Sequence, residues 1–417
     1  MKKHLYLSRQ GSATMAIIAL LSLVLGAAYL SGHVTVTHAA AAPNDGDGIG
    51  TPMFTTDQSV TNFSANADTI PYWRSSFTDP TNGVTYPFTM VGTNPFQDDV
   101  TTTVPTVIIP FSFTFVQSAS TNNVLDGTSK VTLTEQSPMF QNADIGTAAD
   151  TTASAPPAYP GVAPANARPL HEPSDVTQVA DAIERALWGK TGSSYHVLLG
   201  QPTVLPTVSY TVPSNQGFLT IGHRSGARIG LIEYQWFSDR LNEAMRSLHI
   251  SPKVLPIFLV YNTFLYIKTP GNCCVLGYHG ATTSLNGNGQ QLVNTYMFAS
   301  YSDPGIFAKN PGDAISYIQD VNALSHEVQE WLNDPFVNNI VNPWLTPTAP
   351  QYGCSDYLET GDPVVSYGFT VQMPDGVAYH PEDEVFFSWF ARQKPSIAEE
   401  GYYTYLNNFA NVAQGCS

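Results

Sequence analysis

The chain has 417 residues, of which 43% are hydrophobic and 12% are charged, and its formal net charge is −16 at pH 7. Such a composition is typical of a folded, aromatic-rich protein with a sizeable core, and the length suits two folded regions better than one. The acidic balance argues against nucleic acid and anionic lipid as partners, because both would be repelled.

The first 40 residues have the pattern of a secretory signal peptide. Lys2, Lys3 and Arg9 form a basic start, "MAIIALLSLVLGAAYL" is the apolar segment, and "THAAAA" offers an A-x-A cleavage site near Ala40. A single membrane anchor is the alternative, but sixteen apolar residues are short for a helix that crosses a bilayer. We therefore predict an exported protein, secreted or periplasmic, that has no membrane segment after cleavage. Loss of the three basic residues would leave a net charge of −19.

Three regions follow the leader. Residues 41–150 are rich in Thr, Asn, Gly, Pro and aromatics, and "TTTVPTVIIPFSFTFV" at 101–116 predicts strands, so we expect a β-rich N-terminal region. Residues 151–169 are Ala- and Pro-rich, which is typical of a linker or a long surface loop. In residues 170–417, helical patterns in "SDVTQVADAIERALWG" and "LIEYQWFSDRLNEAMRSLHI" alternate with strand patterns in "SYHVLLG", "KVLPIFLVYNTFLYI" and "QLVNTYMFASY". This order predicts an α+β domain with helices packed on a mixed sheet.

The four cysteines are Cys273, Cys274, Cys354 and Cys416. An even number in an exported chain indicates two disulfides. Adjacent cysteines rarely bond to each other, because the peptide between them is too short for relaxed bridge geometry. We therefore predict that Cys354 bonds to Cys273 or Cys274 and that Cys416 bonds to the other. A cysteine metal site is the alternative, but the chain has no C-x-x-C spacing to favour it.

The stretch "LSHEVQEWLNDP" differs by one residue from H-E-x-x-H, the zinc-binding helix of metalloproteases. Its apolar residues recur at helical spacing and predict a helix over about 321–333. His326 and Glu330 would stack one turn apart on the opposite face, with Glu327 on the flank, and this face could border a cleft. The alternative is an ordinary polar face exposed to solvent.

Two carboxylates follow at E-x-x-D spacing in "YGCSDYLETGDPV". H-E-x-x-E followed by D-P, a Trp and E-x-x-D resembles a group of secreted zincin-like metallopeptidases and, more distantly, the plant exordium (phosphate-induced) proteins. The matching motifs cover about a tenth of the chain. The resemblance implies a zincin-like α+β fold in which His326, Glu330 and Glu359 bind a divalent metal, Glu327 is the general base and Asp362 supports the site.

Other ligand sets remain open. Asp334, Asp362 or His279 is the alternative third ligand, although His279 and His380 each fit the role of a hydrogen-bonded structural histidine better. Zinc is the favoured metal, while two carboxylates among three ligands also suit manganese or calcium.

Two functions are compatible with these patterns. The first is a secreted metal-dependent hydrolase, in particular a peptidase that acts on a peptide or protein. The second is an exported binding or surface protein with a structural metal site and no catalysis.

Overall fold

The structure, a computed structural model, describes residues 49–50, 52–145, 176–308, 314–348, 353–365, 367–394 and 402–416. The predicted signal peptide and the predicted Ala/Pro segment lie outside these ranges. Within the ranges, no helix has both the length and the apolar character that a membrane crossing requires.

The described residues form 21 strands and five α-helices. The strands are β1 (Met53–Thr56), β2 (Tyr72–Thr78), β3 (Thr85–Val91), β4 (Thr101–Val104), β5 (Thr106–Phe115), β6 (Val124–Asp126), β7 (Ala143–Asp144), β8 (Val176–Thr177), β9 (His196–Leu199), β10 (Thr203–Val204), β11 (Val208–Val212), β12 (Gly217–Ile221), β13 (Arg228–Glu233), β14 (Leu255–Tyr261), β15 (Thr263–Tyr266), β16 (Cys273–Leu285), β17 (Gln291–Tyr301), β18 (Ile340–Leu345), β19 (Cys354–Tyr357), β20 (Val371–Gln372) and β21 (Ala378–Tyr379). The helices are α1 (Val131–Glu135), α2 (Val179–Leu187), α3 (Tyr234–Leu248), α4 (Asn322–Asn333) and α5 (Phe387–Phe390).

Eleven of the strands belong to one mixed sheet. Its order is β10–β5–β14–β17–β16–β15–β13–β12, with β1 beside β16 and with β6 and β11 beside β5. The pairs β5–β14, β14–β17 and β1–β16 are parallel, whereas β16 is antiparallel to both β15 and β17. Strands that precede the predicted Ala/Pro segment thus share a sheet with strands that follow it.

The individual strand predictions at 101–116, 253–267 and 291–301 are confirmed by β4 and β5, by β14 and β15, and by β17. The predicted fold class, a zincin-like α+β fold with helices packed on the sheet, is wrong. The structure is mostly β, with 38% strand and 17% helix, and its main sheet curls into a half-barrel. The segment predicted as the second helix does form α3, but its first three residues belong to the end of β13.

Helix α4, which carries the H-E-x-x-E motif, packs against β16 and β17. The helix occurs close to where it was predicted, and all of its residues are buried, including those of the motif. Polar side chains on this helix find buried partners: Gln329 and Asn333 donate hydrogen bonds of 2.6 and 2.7 Å to Glu184 of α2. The helix approaches β16 at Gly277, where an added Cβ would lie 2.5 Å from Oε1 of Glu327.

The predicted disulfide pairing is also wrong. The bonded pairs are Cys273 with Cys274 and Cys354 with Cys416. Cys273 and Cys274 lie at the buried start of β16, whereas Cys354 begins the exposed strand β19. The chain end bridges to β18, the neighbour of β19, and this places Cys416 beside Cys354 with a Cα–Cα distance of 6.1 Å.

Candidate metal centre

Side chains from four segments of the chain meet at one face of α4. The helix contributes the residues of the H-E-x-x-E motif, and β16 contributes a histidine from "GYHG". The loop after β19 and the loop before α5 contribute carboxylates. The contributing residues are His279, His326, Glu327, Glu330, Glu359, Asp362 and Glu382.

One ring nitrogen of His326 contacts Glu382, and the other faces the carboxylates of Glu330 and Asp362. Its Nδ1 lies 2.7 Å from Oε2 of Glu382, and its ring stacks on Phe54 with a centroid distance of 3.6 Å. Its Nε2 lies 3.1 Å from Oε1 of Glu330 and 3.9 Å from Oδ1 of Asp362. The contact of this Nε2 with Glu330 has the distance of an ion pair but not the alignment of a hydrogen bond. A histidine that is fixed by a carboxylate through one nitrogen and open at the other is the usual arrangement of a metal ligand.

Glu330 lies between two imidazoles. Its Oε1 accepts hydrogen bonds of 3.2 Å from the backbone N–H groups of Gly361 and Asp362 and also faces His326. Its Oε2 lies 3.7 Å from Nδ1 of His279. The loop can approach this closely because residue 361 is a glycine: a Cβ there would collide with the His326 ring.

His279, for which the sequence favoured a structural role, lies in the cluster. Its Nε2 lies 3.2 Å from the backbone oxygen of Asp334, and its Nδ1 lies 3.3 Å from Oε2 of Glu327. A carbonyl oxygen only accepts hydrogen bonds, so Nε2 must carry the hydrogen and Nδ1 faces the carboxylates. Glu327 is fully buried, and its Oε1 has no hydrogen-bond partner in the part of the chain that the structure describes.

Glu359, the third ligand implied by the resemblance, is buried and its carboxyl is hydrogen-bonded to that of Glu330. Two sets of donor atoms lie within 4.8 Å of one another: His326, Glu330 and Asp362 in one set, and His279, Glu327 and Glu330 in the other. Within the described ranges, Glu359 is in neither set. Of the two acids in the E-x-x-D pair, Asp362 is therefore the one that these distances group with His326 and Glu330.

Two further candidates have other partners. Asp334 ends α4, and its Oδ1 accepts hydrogen bonds from the backbone N–H groups of Asn338 and Asn339 at 2.8 and 3.1 Å. His380 bonds to Asp320 through its Nδ1 at 2.6 Å. Their contacts stabilise the end of the helix and the loop before it.

Sequence reasoning missed Glu382. This residue lies in "HPEDE", and its backbone N–H donates a 2.8 Å hydrogen bond to Oγ of Ser325, next to His326 on the helix. The neighbouring Glu384 is also buried, and neither of its carboxylate oxygens has a hydrogen-bond partner among the described residues. The sequence signal for a buried acid here was a run of three consecutive acidic residues followed by the apolar "VFFSWF". Such a run is unusual in a chain with only 12% charged residues.

The electrostatics of the cluster reflect an excess of buried carboxylates. Burial and the nearby Glu330 raise the pKa of Glu359 well above its usual range, and burial likewise raises the pKa of Glu327. Burial would lower the pKa of His326, but Glu330 and Glu382 outweigh it and raise that pKa well above the usual value. Burial lowers the pKa of His279 to about 4. The carboxylates thus attract positive charge to the space that they share.

The donor set suits a divalent cation. In the described residues, no lysine or arginine forms an ion pair with Glu327, Glu330 or Asp362. Buried carboxylates without a cationic partner are costly, and coordination to a metal is one of the few ways to compensate them. The structure therefore contains buried His/Glu/Asp clusters that could hold a metal ion. A comparison of the chain with known protein families, with curated proteins and with solved structures finds no match.

Proposed function

We propose that this chain is an exported hydrolase that depends on a divalent metal bound by His326, Glu330 and Asp362. The observation that carries the proposal is Nε2 of His326, which is buried, lies 3.1 Å from Glu330 without hydrogen-bond alignment, and also faces Asp362. One nitrogen and two oxygens suit zinc first, and manganese or calcium second. The basic and apolar start of the chain and the two disulfides support export.

A divalent cation in this position would polarise a substrate carbonyl and make a coordinated water more acidic. The residues of the chain would then have to move one proton. A carboxylate accepts the proton from the attacking water and returns it to the leaving amine as the C–N bond breaks. Glu327 and Glu359 are the candidates, because each has one buried oxygen without a hydrogen-bond partner in the described ranges. Glu327 is the base that the motif predicts.

Access to solvent supports the placement of the substrate near Asp362. The side chain of Asp362 is 29% exposed, while those of His326 and Glu330 are 0% and 1% exposed. A peptide or protein substrate would therefore approach along the loop after β19. Because the chain is strongly acidic, a substrate without excess negative charge fits best.

The same burial favours a second candidate function. A metal enclosed on nearly all sides by side chains of the protein would stabilise the contact between α4, β16 and the two loops without any catalysis. In that case the protein is an exported binding or surface protein with a structural metal site.

The test begins with metal analysis of protein purified without added metal, followed by assays on a broad peptide panel with zinc or manganese supplied. We expect bound metal, turnover in wild type, and loss of both metal and turnover in His326→Gln. His223→Gln is the matched control, because His223 is exposed. Bound metal without turnover on any peptide would favour the structural function, and protein that binds no metal would contradict both.

A further inference from the structure

The carboxylate of Glu330 has a different imidazole at each oxygen. Oε1 lies 3.1 Å from Nε2 of His326, and Oε2 lies 3.7 Å from Nδ1 of His279. Both imidazoles and the carboxylate are buried. A carboxylate with an imidazole nitrogen beside each oxygen could bind one cation through each oxygen and so bridge two cations.

The side of Glu330 that faces His279 has its own donor atoms. Nδ1 of His279, a carboxylate oxygen of Glu327 and a carboxylate oxygen of Glu330 lie within 4.8 Å of one another. The hydrogen of this imidazole is on Nε2, which donates to the backbone oxygen of Asp334. Metal-binding histidines are commonly fixed in this way by a backbone carbonyl. His279 is therefore oriented with the other nitrogen toward two carboxylates.

Glu327 provides an independent observation. It is 0% exposed, and its Oε1 has no hydrogen-bond partner within the described part of the chain. Gly277 on β16 packs directly on this carboxylate, which keeps it beside His279. A buried carboxylate oxygen without a hydrogen-bond partner, held in place by backbone packing, is a group that a bound cation would compensate.

We propose that a second divalent cation binds between His279, Glu327 and Glu330, and that Glu330 bridges it to the cation at His326. The inference rests on the proposed function for the first site and adds a second site to it. Paired metals in hydrolases lie about 3.5–4 Å apart, a spacing that a bridging carboxylate can span. In this arrangement Glu327 is a ligand, so the proton acceptor would be Glu359.

The first test needs no variant. Apoprotein prepared with a chelator is titrated with Mn²⁺, and bound and free ions are counted by EPR and elemental analysis. We expect two ions per chain, with an EPR signal altered by magnetic coupling between them. One ion per chain, with the signal of an isolated Mn²⁺, would overturn the second site and leave the proposed function intact. No bound ion would contradict the proposed function itself.

Variants then assign the ions. His279→Gln and Glu327→Gln should each bind one ion and lose the coupled signal, while Glu330→Gln should lose most binding of both. Glu243→Gln is the matched control, since the Glu243 side chain is 52% exposed and lies outside the cluster. Circular dichroism establishes that each variant is folded. A folded Glu327→Gln that still binds two coupled ions would overturn the assignment of Glu327 as a ligand.

Discussion

Glu382 offers the sharpest test of how His326 is oriented. Its Oε2 lies 2.7 Å from Nδ1 of His326, and both side chains are fully buried. A charge-assisted hydrogen bond of this kind contributes about 1.5–3 kcal/mol, whereas a neutral one contributes about 0.5–1.5 kcal/mol. Replacement by Gln retains an acceptor and loses the charge, and replacement by Ala loses both.

Metal binding should therefore be weaker in the Gln variant than in wild type, and weaker still in the Ala variant. We expect the metal affinity of Glu382→Gln to fall by about tenfold and that of Glu382→Ala by about 100-fold, the range found when partners of ligand histidines are removed. Competition with a chromophoric chelator measures the dissociation constant, and Glu243→Gln serves as the control. Unchanged affinity in both folded variants would refute the view that Glu382 orients a metal-binding imidazole.

Three predictions concern stability. Gly277→Ala should destabilise the protein by about 1–3 kcal/mol in chemical denaturation because its Cβ would overlap a buried carboxylate, while Gly271→Ala, with open space around it, should change little. Burial raises the pKa of Glu184 from 4.5 to about 7. Between these pH values the carboxyl is therefore mostly protonated in the folded state and mostly ionised in the unfolded state. The free energy of unfolding should thus fall by up to roughly 3 kcal/mol between pH 4.5 and 7, and Glu184→Gln should lack this part of the pH dependence. Loss of the Cys354–Cys416 bridge in a double Ser variant should lower stability by about 4 kcal/mol, from the entropy of a loop of 62 residues, and an unchanged melting temperature would count against that pairing.

Local patterns were sufficient to predict much of the secondary structure. The runs of β-branched and aromatic residues in β5, β14 and β17 identify strands by composition alone, and the 3–4 spacing in α4 identifies a helix. The spacing does not show that Gln329 and Asn333 on the same helix have a buried partner. That partner, Glu184, is about 150 residues away in the sequence, beyond the reach of any periodicity.

In the candidate site, too, local spacing predicted only the contacts between residues that are close together in the chain. His326 and Glu330 are adjacent on one helix, so the motif places them together. His279 and Glu382 approach from a strand and a loop, each roughly 50 residues away, and only the pairing of β16 and the packing of the loop bring them in. The disulfides likewise depend on which strand lies next to the chain end.

The pairing of β1 with β16 has a consequence for how the chain folds. Met53 is aligned with Val275, about 220 residues later, and β5 is aligned with β14 across about 150 residues. Contacts between such distant segments require large loops to close first, and proteins dominated by them fold slowly. The central sheet therefore cannot be completed until β16 and β17 have left the ribosome. Until then the apolar strands on either side of the gap lack their partners, and unpaired strand edges of this kind are prone to aggregation.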